Sequence, residues 1–219
     1  MIHTYQREFI DFVIARGALR FGTFTLKSGR ISPYFFNAGL FNAGKDIARL
    51  GQFYAQAILA HGIEFDVIFG PAYKGIPLAT ATVIALSENH GRDVPYAFNR
   101  KEIKDHGEGG TIVGHPLQGK VLIIDDVISS GLSITESIQL IKHAHAHPAG
   151  VVIALDRQER SQASTAAAME IETQYGVPVL SIIKLDTLIA YLKEQQDVDS
   201  HLHAIQQYRA TYGIESGGI

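Results

Sequence analysis

The chain has 219 residues, 46% of them hydrophobic and 19% charged, and a formal net charge of −3. This length and composition are typical of one globular domain and exclude an intrinsically disordered chain. The slightly negative charge excludes a protein whose overall field attracts nucleic acid, and the absence of cysteine excludes disulfides, thiolate catalysis and zinc–thiolate sites.

The chain begins with MIHTYQREFIDFVIARG, an amphipathic helical pattern over residues 1–17. Arg7, Glu8 and Asp11 lie within this pattern, so it is not a secretory signal. Elsewhere no apolar run approaches the roughly 18 to 20 residues that a membrane span requires. We therefore expect a cytoplasmic protein that has neither a membrane nor a nucleic acid as partner.

The next segment, residues 18–42, does not continue the helical pattern. It is predicted to form a hairpin or a small flap, with a turn at Ser28 and Gly29. With the preceding helix it forms a predicted small N-terminal subdomain of about residues 1–42. The C-terminal segment is a further candidate contributor to this subdomain.

The rest of the chain alternates short apolar runs with helical patterns. Strands are predicted at residues 65–70, 94–99, 120–125, 150–155 and 178–183, and helices at residues 45–62, 76–88, 133–144 and 164–176. Continuous apolar strands joined by helix-length crossovers are buried on both faces and run parallel. The pattern predicts a single α/β domain over residues 1–219, with a parallel sheet flanked by helices.

Polar residues follow four of the predicted strands, where parallel sheets bind their ligands. They are Asp125–Asp126 after the third strand, residues 70–75 after the first, residues 99–101 after the second, and Asp156–Arg157 after the fourth. Because these positions share one rim of the sheet, we expect them to form a binding crevice.

The stretch VLIIDDVISSGLSI, residues 121–134, predicts the chemistry of that crevice. Small and hydroxylated residues at 129–133 lead into a helix, and their backbone N–H groups suit a phosphate. Asp125 and Asp126 would repel a phosphate but can accept hydrogen bonds from a ribose diol. The alternative is a solvated loop that caps the helix through Ser130 or Ser133. The combination of strand, acids and loop favours a ribose-phosphate site.

Residues 101–114 contain four glycines and little apolar periodicity, which is typical of a mobile loop that closes over a substrate. Lys104 and His106 would bring positive charge with such a loop. The alternative is a hairpin tip or an insertion without a role.

These motifs together resemble a known family. VLIIDDVISSGLS resembles the phosphoribosyl diphosphate (PRPP) binding motif of the type I phosphoribosyltransferases. Within that family, FTLKSGRISPYFFN resembles the N-terminal hood of the orotate phosphoribosyltransferases, GPAYKG their pyrophosphate loop, and NRKEIKDHGEGG their mobile catalytic loop. ALDRQE matches as well, and the resemblance covers nearly the whole chain in order and spacing. One departure is Leu132, where the family usually has threonine. Ser133 or backbone N–H groups are the candidate substitutes for that phosphate contact.

The resemblance implies a type I phosphoribosyltransferase fold and a reaction. Orotate would displace pyrophosphate from C1 of PRPP, giving orotidine 5′-monophosphate in the biosynthesis of UMP. Mg²⁺ would be the cofactor, held mainly by PRPP and by no direct protein ligand. The partner would be a second copy of the chain, in a homodimer where residues 101–110 of one subunit close over the PRPP of the other.

The resemblance also implies residue roles. The implied catalytic residues are Lys101, Lys104, His106, Asp125 and Asp126. The implied PRPP-binding residues are Lys27, Tyr73, Lys74, Arg100, Lys101, Lys104, His106, Asp125, Asp126, Val127, Ile128, Ser129, Ser130, Gly131, Leu132 and Ser133. The implied orotate-binding residues are Phe35, Phe36, Ser129 and Arg157. A cis peptide is expected within residues 72–74.

The side chains of the implied base site suit a ring that carries a carboxylate. Arg157 can bind a carboxylate bidentately, as lysine cannot. Phe35 and Phe36 would supply backbone groups and a dry wall, or their side chains would simply form the core of the hood.

Three other functions fit the sequence less well. A PRPP-sensing regulator would need a nucleic-acid surface, and the sequence shows no basic stripe. A haloacid-dehalogenase-like phosphotransferase would need two acids separated by one residue, whereas Asp125 and Asp126 are adjacent. A transferase acting on a purine is the nearest competitor. Arg157 together with Phe35 and Phe36 favours an acidic pyrimidine.

Overall fold

The computed structural model of the chain describes residues 1–26, 28–104, 110–129, 131–160, 165–195 and 199–214. The helices are α1 (Thr4–Ala15), α2 (Gly44–His61), α3 (Gly75–His90), α4 (Leu132–His143), α5 (Ala167–Tyr175), α6 (Leu185–Lys193) and α7 (Asp199–Tyr212). The strands are β1 (Leu19–Thr25), β2 (Ile31–Phe36), β3 (Val67–Gly70), β4 (Tyr96–Lys104), β5 (Gly110–Gly114), β6 (Lys120–Ile124), β7 (His147–Asp156) and β8 (Val179–Lys184).

Six of these strands form one sheet in the order β5-β4-β3-β6-β7-β8. β3 lies between β4 and β6, and these pairings, like those of β6 with β7 and β7 with β8, are parallel. The helices α3, α4 and α5 connect successive parallel strands, because a connection between parallel strands needs a segment of helix length. The predicted α/β sheet is confirmed.

The sheet is buried on both faces because its central strands are continuously apolar. On β6, Leu122 and Ile124 pack into a large core with the hood, α2, α3 and α6, whereas Val121 and Ile123 pack on the opposite face against α4. All four side chains are inaccessible to solvent. This two-sided burial explains why the strand is apolar from Val121 to Ile124, between the exposed Lys120 at its start and the acids at its carboxyl end.

The hood consists of β1 and β2, an antiparallel pair in which Leu19 lies opposite Phe36. Helix α7 packs on β2, where the rings of Tyr34 and Tyr208 meet edge to face at 6.4 Å between centroids. Ile205 and Tyr208 of α7 are buried there. The carboxyl-terminal helix therefore covers the hood strand that precedes the central domain.

Two local features differ from what the sequence pattern suggests. Residues 101–104 and 110–114, expected within a loop, are strand: β4 continues to Lys104 and pairs antiparallel with β5 at the edge of the sheet. Helix α4 begins at Leu132 after Gly131, which has a φ of 75° and no side-chain cap, so Ser133 is not the cap. Gly131 suits this position because glycine adopts the left-handed region without steric cost.

Among the described helices, none has the length and apolar character of a bilayer span.

Candidate active site

The carboxyl ends of β6 and β7 bring the two adjacent acids to the rim of the sheet. The backbone N–H of Asp125 donates to the Val152 carbonyl at 3.1 Å, and the N–H of Ala154 donates to the Asp126 carbonyl at 2.9 Å. These bonds continue the parallel ladder past the end of β6. The backbone of both acids is thereby fixed before any ligand binds, which is the arrangement a precise contact requires.

The two carboxylates are held by local hydrogen bonds although they are only 8% and 6% exposed. The N–H of Asp126 donates to Asp125 Oδ1 at 2.9 Å, and Ser133 Oγ donates to Asp125 Oδ2 at 3.3 Å. The N–H of Val127 donates to Asp126 Oδ1 at 2.9 Å. Burial is the main cause that raises the pKa of Asp125 to about 6, and the negative charge of Asp126 is the second. Asp125 therefore gains its charge only near neutral pH.

Lys74 completes this group from the neighbouring strand. It lies between β3 and α3, and its Nζ is 2.5 Å from Asp126 Oδ2. The lysine side chain is 58% exposed, whereas the carboxylate is buried. Lys74 can therefore turn toward a ligand in the crevice, but Asp126 cannot move with it.

The loop that carries Lys74 is tied to β4. The N–H of Ala72 donates to Asn99 Oδ1 at 2.9 Å, and Lys101 Nζ lies 5.0 Å from the centroid of the Tyr73 ring. The peptide bond between Ala72 and Tyr73 is cis, as expected from the resemblance. Asn99, which the sequence places at the rim without a specific role, thus positions this loop, and Lys101 lies beside it.

The loop after the acids leads directly into the N-terminus of α4. Ser129 is exposed, Val127 and Ile128 are half-buried, and the side chain of Leu132 is 61% exposed. The first N–H groups of a helix have no intrahelical acceptor, so they are free to bind a phosphate. Leu132 lies at this N-terminus, and Ser133 contacts Asp125 in this structure.

Arg157 lies beyond the end of β7, against the hood. Its Nε donates to Glu159 Oε1 at 2.8 Å, its Nη2 donates to Ser32 Oγ at 3.0 Å, and its guanidinium carbon is 4.2 Å from the centroid of the Tyr34 ring. Its side chain is 16% exposed. The two elements that hold Arg157 are therefore β2 and the segment after β7, and the arginine joins the hood to the sheet.

Known proteins match this chain over most of its length. The model of the phosphoribosyl transferase domain matches residues 40–179. The orotate phosphoribosyltransferase of Thioalkalivibrio sulfidiphilus is 62% identical over 211 residues, which are 96% of this chain and 99% of that protein. The one from Pseudomonas aeruginosa is 59% identical over 213 residues, with 97% and 100% covered. The chain belongs to the orotate phosphoribosyltransferase family.

A solved structure supports the same conclusion. The orotate phosphoribosyltransferase of Francisella tularensis has a TM-score of 0.86 and 44% identity, and the match covers 94% of this chain and 100% of that one. Membership confirms the type I phosphoribosyltransferase fold and the expectation that the chain is a transferase.

The residues expected at the site of an orotate phosphoribosyltransferase lie at different places in this structure. Asp125, Asp126, Ser133 and Lys74 are brought together at the rim, and Tyr73 with Lys101 lies on the adjoining edge. Lys27, His106, Ser130 and the side chain of Lys104 lie outside the described residues. Arg100 is a half-buried residue of β4.

The two phenylalanines occupy different environments. Phe36 is buried and packs in the core near Phe41, with 6.5 Å between ring centroids, so its side chain forms hood core. Phe35 points to the other face of β2, where it is half-buried and stacks on Phe24 at 5.6 Å. Of the pair, Phe35 is the side chain that can form a wall for a base.

Sequence reasoning missed Glu159, Ser32 and Tyr34 as partners of Arg157. Ser32 and Tyr34 are fully buried, and the hydroxyl of Tyr34 donates to Glu159 Oε1 at 3.3 Å. The signal that could have found Glu159 was its place in ALDRQE, two residues after the arginine. Alternation along β2 could have found the other two, because Ser32 and Tyr34 share one face of the strand with Phe36.

Proposed function

We infer that the chain transfers the phosphoribosyl group of PRPP to orotate, giving orotidine 5′-monophosphate and pyrophosphate, as one step of pyrimidine biosynthesis. The observation that carries this inference is the group of Asp125, Asp126 and Lys74 at the carboxyl rim of the sheet, in a chain 62% identical to an orotate phosphoribosyltransferase. A ribose diphosphate needs this pairing of anionic and cationic groups.

The acids suit the ribose. Displacement of pyrophosphate at C1 develops positive charge on the sugar, which nearby carboxylates stabilise. Asp125 and Asp126 would accept hydrogen bonds from the two ribose hydroxyls, and their fixed backbone would hold the ring for attack along one line. The 5-phosphate would lie against the N-terminus of α4, bound by the loop at residues 129–133.

Cations suit the leaving group. Pyrophosphate departs with more negative charge than it carried as an ester, so positive groups beside it lower the barrier. Lys74 would exchange its contact with Asp126 for one with the pyrophosphate, which its exposure allows. Arg100 and Lys101 of β4 would add to this charge, together with Lys104 and His106.

Mg²⁺ is the proposed cofactor. The described residues contain no cluster of three or more histidine, aspartate or glutamate side chains suited to hold a metal ion. A hard cation that keeps most of its ligands as water and phosphate oxygens does not need such a cluster. Mg²⁺ would therefore be held mainly by PRPP, with Asp125 and Asp126 as the nearby protein oxygens, and would neutralise charge on the leaving pyrophosphate.

The base would bind between the hood and the end of β7. Orotate carries a carboxylate, and Arg157 is the guanidinium that the fold holds at this place. Phe35 and the backbone of the hood strand would contact the ring. The carboxylate is the feature that separates orotate from purines, so Arg157 carries the choice of base.

The functional unit is proposed to be a cytoplasmic homodimer with shared sites. The segment 101–110 carries Lys101, Lys104 and His106, which are of use only where a pyrophosphate lies within reach. By family resemblance that pyrophosphate belongs to the other subunit.

The activity can be tested with a panel of bases. Pyrophosphate release from PRPP is measured with orotate, uracil, adenine and hypoxanthine, each with Mg²⁺ and with EDTA. Of these mixtures, only the one that contains both orotate and Mg²⁺ is expected to release pyrophosphate. Release with a purine but not with orotate would contradict the proposed function, and full release in EDTA would contradict the role of Mg²⁺.

A further inference from the structure

Glu159 is an almost buried carboxylate to which the transfer reaction assigns no part. Its side chain is 12% exposed, and it follows Arg157 by two residues. A carboxylate is costly to bury unless charges and hydrogen bonds compensate for the lost water. Its partners therefore indicate what it does.

Both oxygens of Glu159 are occupied. Oε1 accepts from Arg157 Nε at 2.8 Å and lies 2.6 Å from Arg157 Nη2. Oε2 accepts from the Tyr208 hydroxyl at 3.2 Å and lies 3.9 Å from Arg30 Nη1. Glu159 thereby links Arg157 to β2 through Tyr34 and to α7 through Tyr208.

The direction of the Arg157 guanidinium follows from these contacts. Glu159 binds its Nε and Nη2, Ser32 Oγ accepts from Nη2, and the ring of Tyr34 lies against its face. The Ser32 hydroxyl gives its own proton to the Tyr34 carbonyl at 2.7 Å, so its oxygen remains an acceptor for the arginine. A guanidinium held through Nε and Nη2 and on one face cannot rotate freely, so its Nη1 group has a fixed direction.

The charges of Arg30, Arg157 and Glu159 do not cancel. Arg30 and Arg157 supply two positive charges and Glu159 one negative charge, which leaves one positive charge. Burial raises the pKa of both Tyr34 and Tyr208, so the phenols stay neutral donors.

We propose that Glu159 is a positioning residue for base selection, which fixes the direction of the Arg157 guanidinium. This inference rests on the proposed contact between Arg157 and the carboxylate of orotate. Glu159 itself does not touch the substrate. Its effect is therefore expected in the discrimination between ligands with and without that carboxylate, and not in the binding of the ribose phosphate.

The test compares two nucleotides that differ only by the carboxylate. Dissociation constants for orotidine 5′-monophosphate and for UMP are measured by calorimetry, and their ratio is the carboxylate preference. The variants are Glu159→Ala, Arg157→Lys and the double variant. Arg160→Ala is the matched control, because Arg160 joins the same segment to α7 through the Thr211 carbonyl at 2.5 Å but leaves Arg157 and its partners in place.

Glu159→Ala is expected to lower the preference about tenfold, the equivalent of one charge-assisted hydrogen bond, with UMP binding unchanged. Arg157→Lys is expected to lower the carboxylate preference at least as much. The double variant is expected to have the same preference as Arg157→Lys alone, because Glu159 acts through the arginine. Arg160→Ala should retain the wild-type preference.

The outcomes separate two failures. If Arg157→Lys keeps the preference, Arg157 is not the carboxylate partner, and the proposed base site and this inference both fail. If Arg157→Lys loses the preference but Glu159→Ala keeps it, only the role of Glu159 is overturned. Should Glu159→Ala fail to fold, Glu159→Gln replaces it. This variant keeps the shape and one acceptor but not the charge, and is expected to lower the preference about threefold. An unchanged preference in folded Glu159→Gln would equally overturn the inference.

Discussion

Lys74 Nζ lies 2.5 Å from Asp126 Oδ2, so a cation expected at the pyrophosphate and an anion expected at the ribose are paired with each other. Each compensates the charge that the other would otherwise leave unpaired, and PRPP would offer both a new partner. In the proposed site, binding would therefore exchange one ion pair for two sets of contacts. An open site built in this way holds its charged groups ready without leaving them uncompensated.

Lys74→Ala is expected to lower kcat/KM for PRPP about ten- to hundredfold, because a charge-assisted contact of roughly 1.5 to 3 kcal/mol is lost. Steady-state kinetics at saturating orotate measure this effect. Lys120→Ala is the control, since Lys120 pairs with Glu64 at 2.8 Å at the opposite end of β6. Equal kinetics in Lys74→Ala and Lys120→Ala would remove Lys74 from the site.

Asp125→Asn and Asp126→Asn are each expected to lower kcat/KM by about ten- to hundredfold, because the ribose diol loses a charged acceptor. The variants are close in shape to the wild type, so their folding is checked by circular dichroism before the kinetics. Wild-type rates in both folded variants would refute the assignment of the acids to the diol.

Asp125 should also make stability depend on pH. Its pKa is about 6 in the folded chain and ordinarily 3.8, so the folded state binds the proton more tightly. The ionised group therefore costs stability above pH 6, on the order of 2 to 3 kcal/mol, and this cost disappears as the pH falls below about 4.

Asp125→Asn removes the charge, so the variant should have a higher Tm than the wild type at pH 8, and the difference should shrink toward zero at pH 4. Thermal unfolding across this range measures it. In the wild type, kcat/KM for PRPP should fall as the pH is lowered through about 6. A variant less stable than the wild type at pH 8 would show that burial of this charge is not the dominant effect.

The shared site predicts that two inactive variants restore each other. A subunit with Lys104→Ala keeps its ribose site, and a subunit with Asp126→Ala keeps its loop. When the two homodimers exchange subunits, each heterodimer gains one intact composite site, and activity should return. Native mass spectrometry confirms the exchange. Heterodimers that form but remain inactive would exclude a loop that acts across the interface.

The central sheet could be predicted because burial on both faces determines which residues its strands contain. Residues 121–124 are apolar up to the acids, since the buried part of a strand that is covered on both faces tolerates no polar residue until it reaches the rim. The position of Asp125 and Asp126 at the rim followed from the same pattern. For this reason the fold and the place of the two acids at the rim were predicted together.

Other features depend on contacts that no local pattern records. Gly110–Gly114 is glycine-rich and resembles a loop, and it becomes strand because β4 offers it a partner. Glu159 acquires its role from Tyr34, 125 positions away, and from Tyr208, 49 positions away. Only the packing of the hood and α7 on the end of β7 brings these side chains together.

The most direct test is a crystal structure of the enzyme with Mg²⁺ and PRPP. The ribose hydroxyls are expected within about 2.5 to 3.0 Å of the carboxylates of Asp125 and Asp126, with the 5-phosphate at the N-terminus of α4. Lys74 Nζ is expected to have left Asp126 for the pyrophosphate. A ligand bound away from this rim, with the pair of Lys74 and Asp126 intact, would contradict the account.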